Sequence, residues 1–294
     1  MLKCRDEAPL TMEMKGNGMA DITMARLHEA MVILYAVSLV FYFLDYVYKE
    51  KKAAKIAMSL LGGVWLLQTV FLIFYMMETQ RFPVLTLFEG IYFYAWLLVT
   101  LSLVLRIFYR FDFAVFLINI IGFIFMTIHT FAPVQIERSP VGESLISELL
   151  LIHISFAILS YAAFSLSFVF SLLNVLQYRL LKRKKWTKQW NSLPSLGQTE
   201  RGMSISIGVG ISLLFVSLVL GLQWAYIALF EFSIFDLKIV GSFILVVVYS
   251  VILWRHQKGT LNGMSYSLAH IYAFLVLLIN FFLGSRLSEF HFWY

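Results

Sequence analysis

Two histidines and one tryptophan lie at a similar depth in three long apolar runs of this sequence. His129 stands four residues before Pro133, near the end of the fourth run, and His153 lies about as far inside the start of the fifth. With a helical rise of 1.5 Å per residue, each imidazole lies roughly 6 Å inside the apolar boundary. Trp224, in the sixth run, reaches a similar depth. Two imidazoles at one level beside aromatic side chains suit a bis-histidine haem site, because haem iron binds histidine nitrogens axially.

A structural role is the alternative for both histidines. Histidine inside a membrane often hydrogen-bonds to neighbouring helices, and Ser155, Ser160 and Tyr161 follow His153 in the same run. The residue pattern leaves both interpretations open.

Other polar residues at the ends of the runs favour structural roles. His256 follows Trp254 and Arg255 at the end of the seventh run, where a position at the membrane interface explains all three. Glu89 stands at the start of the third run, where a carboxylate can cap the positive end of a helix. His291 lies beyond the last run.

The elements that must position these residues are transmembrane helices. The chain of 294 residues is 61% hydrophobic and only 14% charged, whereas a soluble domain carries about a quarter charged residues. About 20 apolar residues suffice to cross a bilayer as a helix. We therefore predict an all-α, polytopic membrane helix bundle with eight transmembrane helices, near residues 29–48, 57–77, 87–109, 112–133, 149–177, 203–229, 236–255 and 264–285.

The distribution of basic residues predicts the orientation of the bundle. Most of the 23 Lys and Arg lie at the connections after the first, third, fifth and seventh runs. The positive-inside rule places these connections in the cytoplasm and both termini outside. The net charge of +6 reflects this bias, so no nucleic-acid partner is predicted. We read residues 1–25 as a polar N-terminal tail and 26–294 as a single membrane domain.

The longest cytoplasmic connection, residues 178–202, is strongly basic. Lys182, Arg183, Lys184 and Lys185 follow one another there. Such a segment usually binds anionic lipid headgroups of the bilayer. A docking surface for a cytosolic protein is the second interpretation.

The sequence lacks the motifs of an enzyme that acts alone. It contains no phosphate-binding glycine loop and no nucleophile elbow. Cys4 is the only cysteine, which excludes an internal disulfide. We predict a protein that is not an enzyme.

Three segments resemble the cytochrome c assembly superfamily, whose members export haem and present it for attachment to cytochromes. The resemblance covers residues 80–294. Residues 81–96, RFPVLTLFEGIYFYAW, are similar to a family segment with a glutamate before an aromatic-rich span, which assigns that glutamate to Glu89. Residues 144–173 match the span that begins with an external haem-ligand histidine, a role that the resemblance gives to His153. His256 falls where the family has a histidine at the end of a later span.

The third segment, residues 206–238, aligns with the tryptophan-rich haem motif of the family. The positions that this chain keeps include Gly221, Trp224, Asp236 and Lys238. Three family tryptophans are replaced by Leu229, Ser233 and Phe235, and the proline after the aspartate by Leu237. The second external histidine falls on Ser288, which leaves His291 or His129 as a replacement.

This reduced motif resembles a branch of the superfamily that is encoded with haem-biosynthesis genes in Gram-positive bacteria. The resemblance implies a multi-pass protein of the bacterial cell membrane that lowers the abundance of glutamyl-tRNA reductase and binds haem b on its outer side. The alternative is a haem transporter or chaperone in cytochrome c assembly.

Overall fold

The computed structural model describes residues 8–109, 112–131, 148–183, 193–228, 233–284 and 287. These residues form eight α-helices and, within the described ranges, no strand. The helices are α1 (Ala8–Tyr48), α2 (Lys51–Thr79), α3 (Leu87–Tyr109), α4 (Asp112–Phe131), α5 (Glu148–Lys182), α6 (Leu196–Ala228), α7 (Leu237–Gln257) and α8 (Gly263–Ile279). A π-helical turn, Asn280–Gly284, continues α8.

All eight helices contain a stretch long and apolar enough to cross a membrane, which confirms the predicted all-α polytopic bundle. Three helices begin earlier than their apolar runs. α1 begins at Ala8, inside the predicted polar tail, α2 at Lys51 and α6 at Leu196. Helix formation continues beyond the apolar run because Lys, Glu, Gln and Met are good helix formers in water.

The helices pack as two groups of four. In the first group α1 packs against α2 and α4, and α3 packs against α4. In the second group α5 packs along α6 and α8, and α7 lies against α6 and α8. The groups meet where α3 and α4 contact α5. The helix α5 is therefore central to the bundle and carries His153 near its start.

Close contact between α5 and α6 depends on glycines of α6. A Cβ atom on Gly202 would lie 2.8 Å from the ring of Phe170, and one on Gly210 would lie 2.6 Å from the ring of Phe164. Small residues let membrane helices approach closely, which replaces the hydrophobic driving force that lipid cannot supply. These ring-on-glycine contacts fix the rotation of α5 against α6.

Candidate functional site

The helix α6 holds His153 through the backbone carbonyl and the hydroxyl of Ser217. Its Nδ1 lies 2.6 Å from the carbonyl oxygen of Ser217, and the hydroxyl of Ser217 donates to the carbonyl oxygen of His153 at 2.8 Å. When Nδ1–H donates to a carbonyl, a neutral imidazole carries its lone pair on Nε2. The sequence offers Ser155, Ser160 and Tyr161 on the same helix as partners of His153, but the structure gives it Ser217 of α6 instead.

Gly221, one turn beyond Ser217 on α6, lies directly against the imidazole of His153. A Cβ atom at this glycine would be 2.5 Å from Cε1 and 2.6 Å from Nδ1 of His153. Real Cβ contacts are essentially never that short. The glycine of the tryptophan-rich motif is therefore the surface on which the ring of His153 rests.

Beside His153 lies a cavity of about 150 Å³. Its walls come from six helices and are mainly apolar, with Leu87, Ile154 and Phe281 among them. The polar residues on its wall are Tyr94, His153, Tyr161, Ser217, Lys238 and Ser242. An apolar cavity with a few convergent polar groups is the usual form of a small-molecule site.

Two further motif residues line the same cavity. The indole of Trp224 is buried against Leu85 and Leu150, and Lys238 stands on the first turn of α7. The carboxylate of Asp236 accepts from the amide of Lys238 at 2.9 Å and thereby caps α7. Asp236 thus fixes the start of the helix that carries Lys238.

The replaced motif positions that the structure describes lie away from the cavity wall. Phe235 is 89% exposed and Ser233 is also exposed, both in the turn before α7. Leu237 is the first residue of α7. Proline is common at this position because a backbone N–H there would have no acceptor within the helix. Leu229 lies outside the described residues.

Glu89 is fully engaged in local structure. Its carboxylate accepts two hydrogen bonds from Arg81, the shorter at 2.7 Å, and one from the hydroxyl of Tyr75. It also accepts from the amides of Leu85 and Thr86 at 2.8 and 3.1 Å. This carboxylate organises the turn before α3, whose residues Leu85 and Leu87 form one wall of the cavity.

His129 lies in the other half of the bundle. Its Nδ1 is 3.1 Å from the carbonyl oxygen of Phe88, and its ring centroid is 5.4 Å from that of His28 and 5.0 Å from that of Tyr92. His129 is not among the described residues on the cavity wall. The structure therefore brings His153, Gly221, Trp224 and Lys238 together and does not join His129 to them.

His256 lies at the end of α7 opposite to Lys238. Its Nδ1 is 3.0 Å from the carbonyl oxygen of Leu261, and its ring stacks on Tyr266 at 3.9 Å. Tyr266 in turn contacts the edge of His270, whose Nδ1 is 2.5 Å from the hydroxyl of Ser167. This second aromatic cluster is separate from the cavity.

The predicted docking residues are only partly described. Lys182 is the last residue of α5, Arg183 follows it, and both are exposed. Lys184, Lys185 and His291 lie outside the described residues.

The donor set of the cavity fits a haem in part. His153 offers one axial nitrogen, Lys238 a cation for the haem carboxylates, and the apolar walls suit the macrocycle. The volume of about 150 Å³ is below the roughly 300–1,000 Å³ of typical small-molecule pockets. A cavity of this size would hold only part of a porphyrin.

Among the polar residues of the cavity wall, Ser217, Tyr94 and Ser242 were not predicted from the sequence. Tyr94 contacts the hydroxyl of Ser165 at 2.5 Å, and the hydroxyl of Ser242 accepts from Asn280 at 3.2 Å. Ser217 and Gly221 are separated by four residues on α6, and this spacing puts both on the face that receives His153. This i,i+4 spacing of a small polar residue and a glycine is the sequence pattern from which the contact surface for His153 can be predicted.

The fold and this site define a polytopic membrane protein with a half-buried histidine beside an apolar cavity, and comparison with known families gives the class. The family model described as cytochrome C assembly protein matches residues 84–291, and the chain belongs to this family. The chain is 47% identical over 273 residues to Protein HemX of Bacillus subtilis (strain 168), and the alignment covers 93% of this chain and 99% of the relative. The chain is also 39% identical over 268 residues to Protein HemX of Brevibacillus brevis, and the alignment covers 91% of this chain and 98% of the relative.

Family membership and eight membrane-crossing helices identify a multi-pass bacterial membrane protein. The family match begins at residue 84, so it contains α3 to α8 and the whole cavity wall. The helices α1 and α2 precede it.

Proposed function

We propose that this protein is a non-enzymatic membrane regulator of haem biosynthesis that lowers the level of glutamyl-tRNA reductase and binds haem b through His153. The observation that carries the proposal is the fixed orientation of His153. Donation from Nδ1–H to the carbonyl of Ser217 leaves the lone pair on Nε2, the nitrogen that a metal would need. Buried metal-binding histidines commonly have such a second partner, which sets the tautomer and holds the ring.

Lys238 and Trp224 support the same ligand class. The cavity wall contains Lys238 close to His153, so an anionic group of a ligand would meet a cation beside the axial nitrogen. Trp224 supplies a flat apolar surface on the same wall. Haem combines an iron, a flat macrocycle and two carboxylates. His153 would supply one ligand to the iron, Trp224 a surface for the macrocycle and Lys238 a cation for one carboxylate.

A cytosolic partner would be reached through α5. Lys182 lies 29 residues beyond His153 on this one helix, which corresponds to about 44 Å. Lys182 and Arg183 are exposed, and we propose that they and the basic residues after them bind the reductase directly or through a protease or adaptor. A continuous helix that carries both sites provides a physical connection between them.

Deletion of the gene tests the regulatory function. We expect the steady-state level of glutamyl-tRNA reductase to rise in the deletion strain and to fall again when the wild-type gene is restored. An unchanged reductase level would contradict the proposal.

Delivery of haem to apocytochromes is the second candidate function, and family membership favours it. It predicts that deletion removes c-type cytochromes while the reductase level stays the same. Haem staining of membrane proteins in the same deletion strain separates the two functions.

A further inference from the structure

Four polar contacts run along the interface between α2 and α3. We propose that α2 uses these contacts to position the cavity wall formed by Leu85 and Leu87, although none of the described residues of α2 lies on that wall. The helix α2 precedes the family match, so this role lies outside the part of the chain that the family model covers. The contacts join Trp65 to Thr100, Trp96 to Thr69, Tyr92 to the backbone of Gln68, and Tyr75 to Glu89.

The middle of this interface is a closed ring of four hydrogen bonds. The indole N–H of Trp65 donates to the hydroxyl of Thr100 at 2.9 Å, and that hydroxyl donates to the carbonyl oxygen of Trp96 at 2.8 Å. The indole N–H of Trp96 donates to the hydroxyl of Thr69 at 2.9 Å, and that hydroxyl donates to the carbonyl oxygen of Trp65 at 2.7 Å. Each helix thus contributes a tryptophan and a threonine four residues later. Movement of α2 along α3 would leave these donors unpaired, because lipid offers no acceptor.

The same register continues from this ring to the start of α3. On α2, Tyr75 lies ten residues beyond Trp65, and on α3, Glu89 lies eleven residues before Thr100. Nearly equal separations are expected for two antiparallel helices held in one alignment. The hydroxyl of Tyr75 donates to the carboxylate of Glu89. The hydrogen-bonded ring therefore fixes the position at which Tyr75 meets this carboxylate.

The carboxylate of Glu89 is the point at which α2 reaches the cavity wall. It accepts from the amide of Leu85 at 2.8 Å, and Leu85 and Leu87 both line the cavity. The side chain of Leu85 is buried together with Trp224 of the same wall. Tyr75 donates to Glu89 from α2 itself, whereas the other described donors belong to the connection between α2 and α3. A shift of α2 would therefore move this wall through Glu89.

Alkylation of a cysteine on the cavity wall is the direct test. Cys4 is the only cysteine, so Leu87→Cys in a Cys4→Ser background places a single thiol on the wall. Its reaction with excess N-ethylmaleimide in detergent measures how readily the wall opens. We expect Tyr75→Phe and Trp65→Phe each to raise the alkylation rate about threefold or more, the factor that corresponds to one interhelical hydrogen bond of average strength.

Conservative substitutions of Thr100 separate the hydrogen bond from the packing. Thr100→Val keeps the shape of the side chain and removes the hydroxyl, so it should raise the alkylation rate as Trp65→Phe does. Thr100→Ser keeps the hydroxyl and should leave the rate near that of the unsubstituted protein. Tyr272→Phe is the matched control for Tyr75→Phe, since Tyr272 is 63% exposed on α8, and it should also leave the rate unchanged.

A second reporter detects a general loss of stability. Ala114 is fully buried on α4 and is not among the residues described on the cavity wall, so Ala114→Cys reports unfolding of another part of the bundle. We expect Tyr75→Phe and Trp65→Phe to leave its alkylation rate unchanged. An equal rise at both reporters, or no difference between the variants and the unsubstituted protein at Leu87→Cys, would overturn the proposal. The measurement uses neither haem nor the reductase, so its failure leaves the regulatory proposal standing.

Discussion

Gly221 and His153 form a contact in which the glycine of α6 leaves room for the imidazole of α5. A Cβ atom on Gly221 would lie 2.5 Å from Cε1 of His153. The carbonyl of Ser217, one turn earlier, holds Nδ1 of the same ring. The motif glycine and the proposed haem ligand therefore depend on each other, although 68 positions separate them in the sequence.

Substitution of Gly221 by alanine should displace the ring of His153. We expect Gly221→Ala to lower the free energy of unfolding by about 1–3 kcal/mol, since overpacked sites shift their neighbours. The haem spectrum of the reconstituted protein should change as well. Chemical unfolding in detergent and visible absorption are the measurements.

Gly208→Ala is the matched control for this prediction. Gly208 lies on the same helix, and a Cβ atom there would meet nothing within 4 Å. Alanine should be neutral or slightly stabilising at this position because it favours the helix. Equal behaviour of the two variants would contradict the proposed contact.

Substitution of His153 by alanine should abolish axial ligation of haem. Purified wild-type protein supplied with haem should show a visible spectrum of a histidine-ligated iron, and His153→Ala should lose it. His129→Ala should retain the spectrum, since His129 contacts Phe88 and His28 and does not line the cavity. If His129→Ala lost the spectrum and His153→Ala kept it, the assigned site would be the wrong one.

Substitution of Glu89 should loosen the turn that forms one cavity wall. Glu89→Gln removes the charge that Arg81 pairs with at 2.7 Å and weakens the acceptor for two backbone amides. We expect a loss of about 1–3 kcal/mol in the free energy of unfolding. Glu78→Gln, at an exposed position of α2, should change stability little. Comparable losses of unfolding free energy in the two variants would contradict the role of Glu89 in stabilising this turn.

Two substitutions of Asp236 test the side-chain cap of α7: one removes the cap and the other keeps it without the charge. Asp236→Ala should cost about 1 kcal/mol because the amide of Lys238 loses its acceptor. Asp236→Asn should recover most of this stability, since asparagine caps helices equally well. Thermal unfolding of both variants decides the matter; an equal loss in both would mean that the charge of Asp236, rather than its cap, stabilises the protein.

Sequence patterns were sufficient for the eight helices because an apolar run of bilayer length has few alternatives to a membrane helix. The family resemblance named Gly221, Trp224 and Lys238 as motif residues and His153 as a haem ligand, and it was the structure that placed the four on one cavity wall. The helix boundaries differed mainly where charged residues extend a helix beyond the apolar run, as in α2 and α6.

The relation of His129 to His153 required the structure. Depth along a helix follows from residue number, but the direction in which a side chain faces depends on helix rotation and on which helices are neighbours. His129 faces α1 and α3, where it meets His28 and Tyr92. The sequence does not determine this rotation, because a membrane helix that is apolar on all sides has no amphipathic face that would indicate it.

The level of glutamyl-tRNA reductase in a strain that carries His153→Ala shows whether His153 is needed for the proposed regulation. Wild-type protein, the variant and an empty vector are compared in the deletion strain, with equal membrane amounts of both proteins verified. We expect the wild type to lower the reductase level and His153→Ala to leave it at the level of the deletion strain. If the variant lowered the reductase level as strongly as the wild type does, the proposed haem site would have no regulatory role.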